Sequence, residues 1–279
     1  MRKYLLYLAS FLTLMFLVQD ISYSGVMNLQ YHFRKNARAN ETIVGGDGGL
    51  SGGNVSSFMI SGNLLLKYVK DDHLVSIYGN ASYGEQETKG VKYRISSSFT
   101  QQIRYHIPVI TGDESWLELA TFLQYQYDEF KRIKTRIANG IGPRPGVLLF
   151  DKKLEISGAV SYMFEYVRLD SATYSNSSGI HQYTDMGEGK VEHRLSNYIN
   201  FGLSLSQGLN IFSTTFYQPL LTEFGDFRIF HDTSLYITPK GMSSLTIYMK
   251  FVWAHDSRPP DQVDATDYNF QSGIMVSVF

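Results

Sequence analysis

Gly241–Asp256, GMSSLTIYMKFVWAHD, and Asp267–Phe279, DYNFQSGIMVSVF, decide the fold of this chain. In the first stretch Leu245, Ile247, Met249, Phe251 and Trp253 share one face, while Ser244, Thr246, Tyr248 and Lys250 share the other. That period of two belongs to a strand. Sixteen residues are far more than the roughly 5 or 6 of an average soluble strand, and about what a tilted strand needs to cross a bilayer and project beyond it. With the polar loop between them, the two stretches form a closing hairpin, and the chain upstream repeats its pattern.

Ser56–Val69 puts Phe58, Ile60, Leu64, Leu66 and Tyr68 on one face, and the tight Lys70-Asp71-Asp72 turn leads into His73–Gly84. Val91–Ile107 sets Tyr93, Ile95, Phe99, Ile103 and Tyr105 against Lys92, Arg94, Ser96, Ser98, Thr100, Gln102 and Arg104. Trp116–Asp128, Arg132–Gly142, Lys153–Tyr166, Val191–Ser206, Leu209–Gln218 and Asp226–Thr238 continue the series. The opening strand has two candidates. Val26–Phe33 alternates neatly; Thr42–Leu50, with Gly45, Gly46, Gly48 and Gly49, makes a less comfortable strand. The count is about twelve, even as in bacterial single-chain barrels. With the C-terminus in the periplasm, the long connections Arg168–Lys190 and Asp256–Thr266 face outward, and the tight turns at Asp71 and Gln207-Gly208 face inward.

Met1–Ser24 has the parts of a secretory signal: Arg2 and Lys3, an apolar run from Tyr4 to Val18, and Ser22-Tyr23-Ser24 before Gly25. That run is short of the roughly 18 residues of a spanning helix, and no later segment approaches that length. A bilayer then admits only a closed barrel. Hydrophobic residues make up 43%, charged residues 18%, and the chain holds 20 Tyr and 18 Phe, a bias that suits aromatic girdles. A soluble β-sandwich shares the alternation, so strand length, the signal and the terminal aromatic residue separate the two.

The fold expected is therefore all-β: one antiparallel transmembrane β-barrel over residues 25–279, a monomer in a Gram-negative outer membrane. Its expected partners are outer-membrane lipid, lipopolysaccharide, the barrel-assembly machinery and small solutes. The net charge of −1 and the lack of a basic block exclude nucleic acid. With 0 Cys there is no disulfide or thiolate site, and no cofactor is expected.

YDEFKRIKTR, Tyr127–Arg136, followed by Gly140-Ile141-Gly142, and HDSRPPDQVDATD, His255–Asp267, resemble a bacterial family of unknown function described as salt-induced outer-membrane proteins. The similarity runs from Gly52-Gly53-Asn54 to Phe279. It implies an outer-membrane barrel without assigned catalytic or ligand-binding residues, connected with salt or osmotic response. Such proteins usually keep apolar residues in phase with the terminal Phe. Here Gly273 and Ser277 share the phase of Phe279, while Tyr268, Phe270, Ile274, Val276 and Val278 lie opposite. This points to a bulge near the end or a weakened assembly signal.

Because lipid-facing and lumen-facing positions alternate, the polar faces predict the lumen. Its basic lining would be Arg94, Arg104, Arg136, Arg194, Arg228, Lys153 and Lys250; its acids Glu118, Asp128, Glu155, Glu165, Glu192, Asp226 and Asp232. These charges either brace the barrel by pairing across strands or line a narrow, weakly selective, porin-like channel. The other functions considered are a phospholipase-like hydrolase and a barrel that binds through its external loops. For the hydrolase, His193 and Ser196 are three apart and so face opposite sides of a strand, which argues against a nucleophile–base pair and against an enzyme. His32, His73, His106, His181, His231 and His255 show no ligand spacing, so no metal is expected. Asp256, Asp261, Asp264 and Asp267 read as a solvated acidic loop stiffened by Pro259-Pro260. Intact-mass measurement of protein taken from membranes should place the mature N-terminus at Gly25; retention of residues 1–24 would overturn the signal assignment.

Overall fold

The computed structural model describes residues 40–51, 55–110, 116–169, 174–176, 179–181, 189–260 and 263–278. Its strands are β1 (Glu41–Ser51), β2 (Val55–Lys70), β3 (His73–Thr88), β4 (Val91–Pro108), β5 (Leu117–Asp128), β6 (Ile133–Leu149), β7 (Leu154–Leu169), β8 (Tyr174–Asn176), β9 (Gly179–His181), β10 (Lys190–Ser206), β11 (Leu209–Leu220), β12 (Glu223–Ile237), β13 (Leu245–Asp256) and β14 (Thr266–Ser277). β8 and β9 form a separate two-stranded sheet, and the other twelve strands close into an antiparallel barrel. Among the described residues there is no helix.

The ring closes where β1 pairs with β14, from Ile43 opposite Ser277 to Gly46 opposite Ile274. The first strand is therefore the glycine-rich candidate. Gly45 lies close to both neighbouring strands: a Cβ there would stand 2.6 Å from Asn63 Oδ1 on β2 and 3.1 Å from Met275 Cγ on β14. Val26–Phe33, like Met1–Ser24 and Phe279, lies outside the described residues.

The side chains are distributed inside out. Phe58, Ile60, Leu64, Leu66, Phe99, Ile103, Ile199, Phe201, Phe270 and Ile274 are exposed on the outer surface, whereas Arg136, Glu165 and Arg194 on the inner face are each at most 1% exposed. A water-soluble sandwich has the opposite arrangement, since contiguous apolar surface is hidden from water. A closed ladder with an apolar exterior satisfies every backbone group while meeting lipid, and this is the architecture of a bacterial outer-membrane protein. The outer membrane is where this chain resides.

Several strand limits differ from the alternation pattern. β13 starts at Leu245 because Gly241, at φ +85°, turns the chain, and Met242 N–H donates to the Pro239 carbonyl at 3.0 Å. β6 runs on through Pro143 and Pro145 to Leu149 instead of stopping at Gly142. Its pairing with β7 lapses between Ile141–Tyr162 and Gly146–Ser157, where two prolines lack the N–H a ladder requires. In β4 the register slips between Gly84–Ser96 and Glu85–Arg94, so Ile95 is a one-residue bulge. In β14, Tyr268, Phe270, Ile274 and Val276 face outward and Gly273 and Met275 inward, so the apolar face keeps one phase up to Val276.

Where the ladder lapses, β6 and β7 approach closely: a Cβ on Gly142 would lie 2.2 Å from the Val160 carbonyl oxygen. Gly142→Val should destabilise the folded barrel by about 1–3 kcal/mol in urea titrations in lipid vesicles. Gly62→Val, where a Cβ meets nothing within 4 Å, should leave the transition in place.

Candidate functional site

The barrel has a loop end, carrying the connections after β7 and β13, and a turn end, carrying those after β2 and β10. Near the loop end an ionic network crosses the interior. Arg136 on β6 donates to Glu165 on β7 at 2.8 Å, and Arg228 on β12 reaches the same carboxylate at 2.7 Å. Arg228 also donates to Asp256 at 3.0 Å. On β10, Arg194 bonds Glu192 at 2.7 Å and Asp226 of β12 at 2.7 Å. Above them Lys131, in the β5–β6 turn, bonds Asp267 on β14, bridging far-separated positions of the ring. Such pairs, shielded from water, feel a much stronger mutual attraction than surface pairs.

A second network lies toward the turn end, with Arg144 on β6 at its centre. It donates to Glu118 at 2.8 Å, to the Tyr198 hydroxyl at 3.0 Å and to Ser157 at 3.3 Å, with Glu155 at 3.7 Å. His106 Nδ1 stands 3.0 Å from Glu118. Apolar side chains complete the filling. Ala138, Met163, Phe216, Phe230, Val252 and Ala254 form one buried cluster, and Ile43, Leu65, Phe212, Tyr236, Tyr248 and Met275 a second. On β2–β4 half-buried Asn63, Asn80, Ser82 and Ser98 line the inner wall toward the loop end, and buried Leu65, Lys67, Gln102, Arg104 and His106 line it toward the turn end. A ring of twelve strands would leave room for water if its lining were small; here arginines and aromatic rings occupy much of that room.

Among the described residues two recesses bear on function. One, of about 660 Å³ including the space open to solvent, lies at the loop end. Arg136, Glu165, Arg228 and Phe230 line it together with Pro259, Pro260 and Val263 of the β13–β14 loop. The other, of about 310 Å³ on the same measure, lies inside the barrel between Arg104 and Tyr198.

Of the charged positions expected in the lumen, Arg104, Asp128, Arg136, Glu155, Glu165, Glu192, Arg194, Asp226 and Asp232 are buried inside, and Glu118, Arg228 and Lys250 are partly buried there. Lys250 pairs with Asp232 at 2.7 Å. Arg94 is a correction. The bulge at Ile95 inverts the strand's phase, so Arg94 lies over the outward Tyr83 ring at 5.9 Å and bonds Glu129 at 2.9 Å. Lys153 is exposed in the β6–β7 turn.

Arg144 was hidden from pattern reading because Pro143 and Pro145 mimic a strand end. The signal that finds it is the unbroken alternation of Arg136, Ala138, Gly140, Gly142 and Arg144 on one face. Lys67, buried and paired with Glu41 at 2.8 Å, was masked by the apolar residues around it.

His193 and Ser196 lie on opposite faces of β10: His193 meets the Tyr162 hydroxyl on the outside, and Ser196 accepts from Gln218 within. Among the described residues no group of three His, Cys, Asp or Glu side chains is placed to hold a metal ion.

The family described as "Protein of unknown function, DUF481" matches residues 44–278. The chain belongs to that family. No curated protein matches it. Among solved structures, the NanC porin is similar at 9% identity over 86% of this chain and 100% of its own, with a TM-score of 0.48. The translocator domain of the autotransporter NalP from Neisseria meningitidis is similar at 11% identity over 89% of this chain and 91% of its own, also with a TM-score of 0.48. The KdgM porin gives 9%, 86%, 100% and 0.45.

In this DUF481 barrel Glu165 holds two arginines, so Glu165→Ala leaves Arg136 and Arg228 short of a buried counter-charge. The loss should be about 3–5 kcal/mol, read as a lower urea midpoint in vesicles, with Glu165→Gln losing less.

Proposed function

We propose that this protein is a non-catalytic outer-membrane barrel that its own lining holds shut at rest, passing only small solutes, with weak selectivity, when that lining rearranges. The observation that carries this reading is the Arg136–Glu165–Arg228 bridge, which joins β6, β7 and β12 through the interior above the Phe216–Phe230 cluster. Buried groups of both signs favour no ion strongly, and the apolar cluster below them resists wetting. Following the family resemblance of Tyr127–Arg136 and His255–Asp267, its setting is salt or osmotic adaptation. The expected outward direction of the long loops places the loop end at the cell surface.

A second reading, surface binding, is favoured by the recess under Pro259, Pro260 and Val263. Its apolar walls and charged floor have the mixture found in small-molecule sites. The hydrolase reading is disfavoured by the separation of His193 and Ser196.

Planar-bilayer recording tests the proposal. The wild type should show rare, small steps with a reversal potential near zero under a salt gradient. The double variant F216A/F230A should raise the frequency or size of the steps severalfold. Large, steady steps in the wild type would mean a pore that stands open and would overturn the closed state.

A further inference from the structure

The outer surface carries a polar island. β11 and β12 turn Ser213, Thr215, His231 and Thr233 outward, since the alternate residues Phe212, Thr214, Phe216, Phe230 and Asp232 are buried inside. The four stand on two adjacent ladder rungs, Ser213 with Thr233 and Thr215 with His231. The next outward rungs are Ile211 with Leu235 toward the turn end and Tyr217 with Ile229 toward the loop end. Ile199 and Phe201 of β10 and Phe251 and Trp253 of β13 flank the island at its sides. β11 has 12 residues, close to the roughly 9–11 with which a tilted strand crosses a bilayer, and the island occupies its middle. Lipid offers only hydrocarbon at that depth, where apolar side chains cost least. Gln101, Asn139 and Ser272 also face outward, but each alone, opposite Tyr125, Phe164 and Met249. We propose that the island is the contact through which two copies of this chain pair side by side in the membrane.

Within one barrel the island is short of acceptors. Its side chains share three hydrogen bonds: Ser213 with Thr233 at 2.9 Å, Thr233 with His231 Nε2 at 3.0 Å, and His231 Nδ1 with Thr215 at 2.9 Å. Three hydroxyls and a neutral imidazole bring four protons to these three bonds, so one proton is always left over. Asn197 of β10 faces the same way, on the diagonal from Thr215, and its Oδ1 accepts no hydrogen bond. A half-turn of χ2 exchanges the two ends of that amide, which can then present a donor or an acceptor. Groups of this kind left unanswered in hydrocarbon are costly.

The chemistry selects the partner. Lipid tails have neither donor nor acceptor, and an outer-membrane barrel as a rule presents an apolar band at this depth. A partner that answers hydroxyls, an imidazole and an amide must carry a like island, and a second copy of this chain does. Each of these groups both donates and accepts, so the island is its own complement about a two-fold axis, the geometry of an isologous dimer. No Lys, Arg or carboxylate stands within it to oppose the approach. Short Ser and Thr side chains let two walls come close, and the rim of Ile199, Tyr217, Phe251 and Trp253 meets its counterpart around them. Polar at the centre and apolar at the rim, the contact inverts the layout of an interface in water. The unit in the membrane is then a pair of barrels, in place of the monomer expected from sequence.

With 0 Cys in the chain, single cysteines report without interference. In intact outer membranes, oxidation should join Ser213→Cys chains into disulfide dimers in severalfold higher yield than Ala81→Cys chains, whose cysteine faces outward on the opposite arc of the ring. Protein labelled through Lys240→Cys, exposed in the β12–β13 turn, should bleach in two steps in lipid vesicles. The variant S213V/T215V/H231L/T233V puts apolar groups against lipid, so it should fold with an unchanged circular dichroism spectrum while its dimer dissociation constant in vesicles rises about tenfold. Should that variant fail to fold, H231L alone must raise the constant. Equal disulfide yields from Ser213→Cys and Ala81→Cys, capture of a different protein by Ser213→Cys, single-step bleaching of the otherwise unaltered chain, or an unchanged dimer in the folded fourfold variant would overturn the proposal.

Discussion

The structure depends on one constraint: in a bilayer no strand edge can be left unpaired. β1 meets that demand by pairing with β14 on one side and β2 on the other, and once the ring is closed the rest follows. Closure fixes which face of every strand meets lipid, so the alternation becomes apolar outside and polar inside. It also explains why the weakest-looking strand is the one that completes the barrel. β1 has little side chain to pack, but its glycines let the backbone approach Asn63 and Met275 without collision.

A closed ring of this circumference leaves an interior that must be filled or wet. Here it is filled by large polar side chains paired with one another and by aromatic clusters between them. Burying an ion pair is expensive in desolvation, and well-packed apolar groups would often be at least as stable. The pairs therefore do something that apolar groups would not. Arg228 reaches Glu165 across β10 and β11, and Lys131 reaches Asp267 across the mouth, so each fixes the relation of strands that share no ladder.

The ring, its strand count and most of the inward charges were legible in the sequence because period-two alternation is a local signal that survives without neighbours. Two of the exceptions, Arg94 and Arg144, share one cause: local irregularity. Arg94 follows the polar phase on paper, yet a single extra residue at Ile95 inverts it. Arg144 sits beyond two prolines that would end a strand elsewhere, and β6 continues because β5 still pairs with it there, through Pro143 and Pro145. What the alternation never carried is the partner of each charge. Arg228 and Glu165 are separated by 63 positions, and only the barrel's curvature brings them together.

The same curvature makes the two halves of the interior unequal. On the arc from β5 to β13 Phe122, Met163, Phe216, Phe230 and Val252 meet, while β2–β4 hold their large inward side chains, Leu65, Lys67, Gln102, Arg104 and His106, toward the turn end. Toward the loop end the same arc carries Asn63, Asn80, Ser82, Ser96 and Ser98, with serine hydroxyls bonded in a short chain at 2.7 and 2.8 Å. Under the closed-barrel proposal, the small polar residues at the loop end of β2–β4 are what the packed wall would move toward, and opening would need no widening of the backbone ring. Phe216, Phe230 and the arginines above them would change rotamer against Ser82, Ser96 and Ser98. Rotamer changes are local and reversible, whereas unzipping β1 from β14 would expose an edge to lipid. That contrast is why the proposal assigns any switching to the lining and not to the wall.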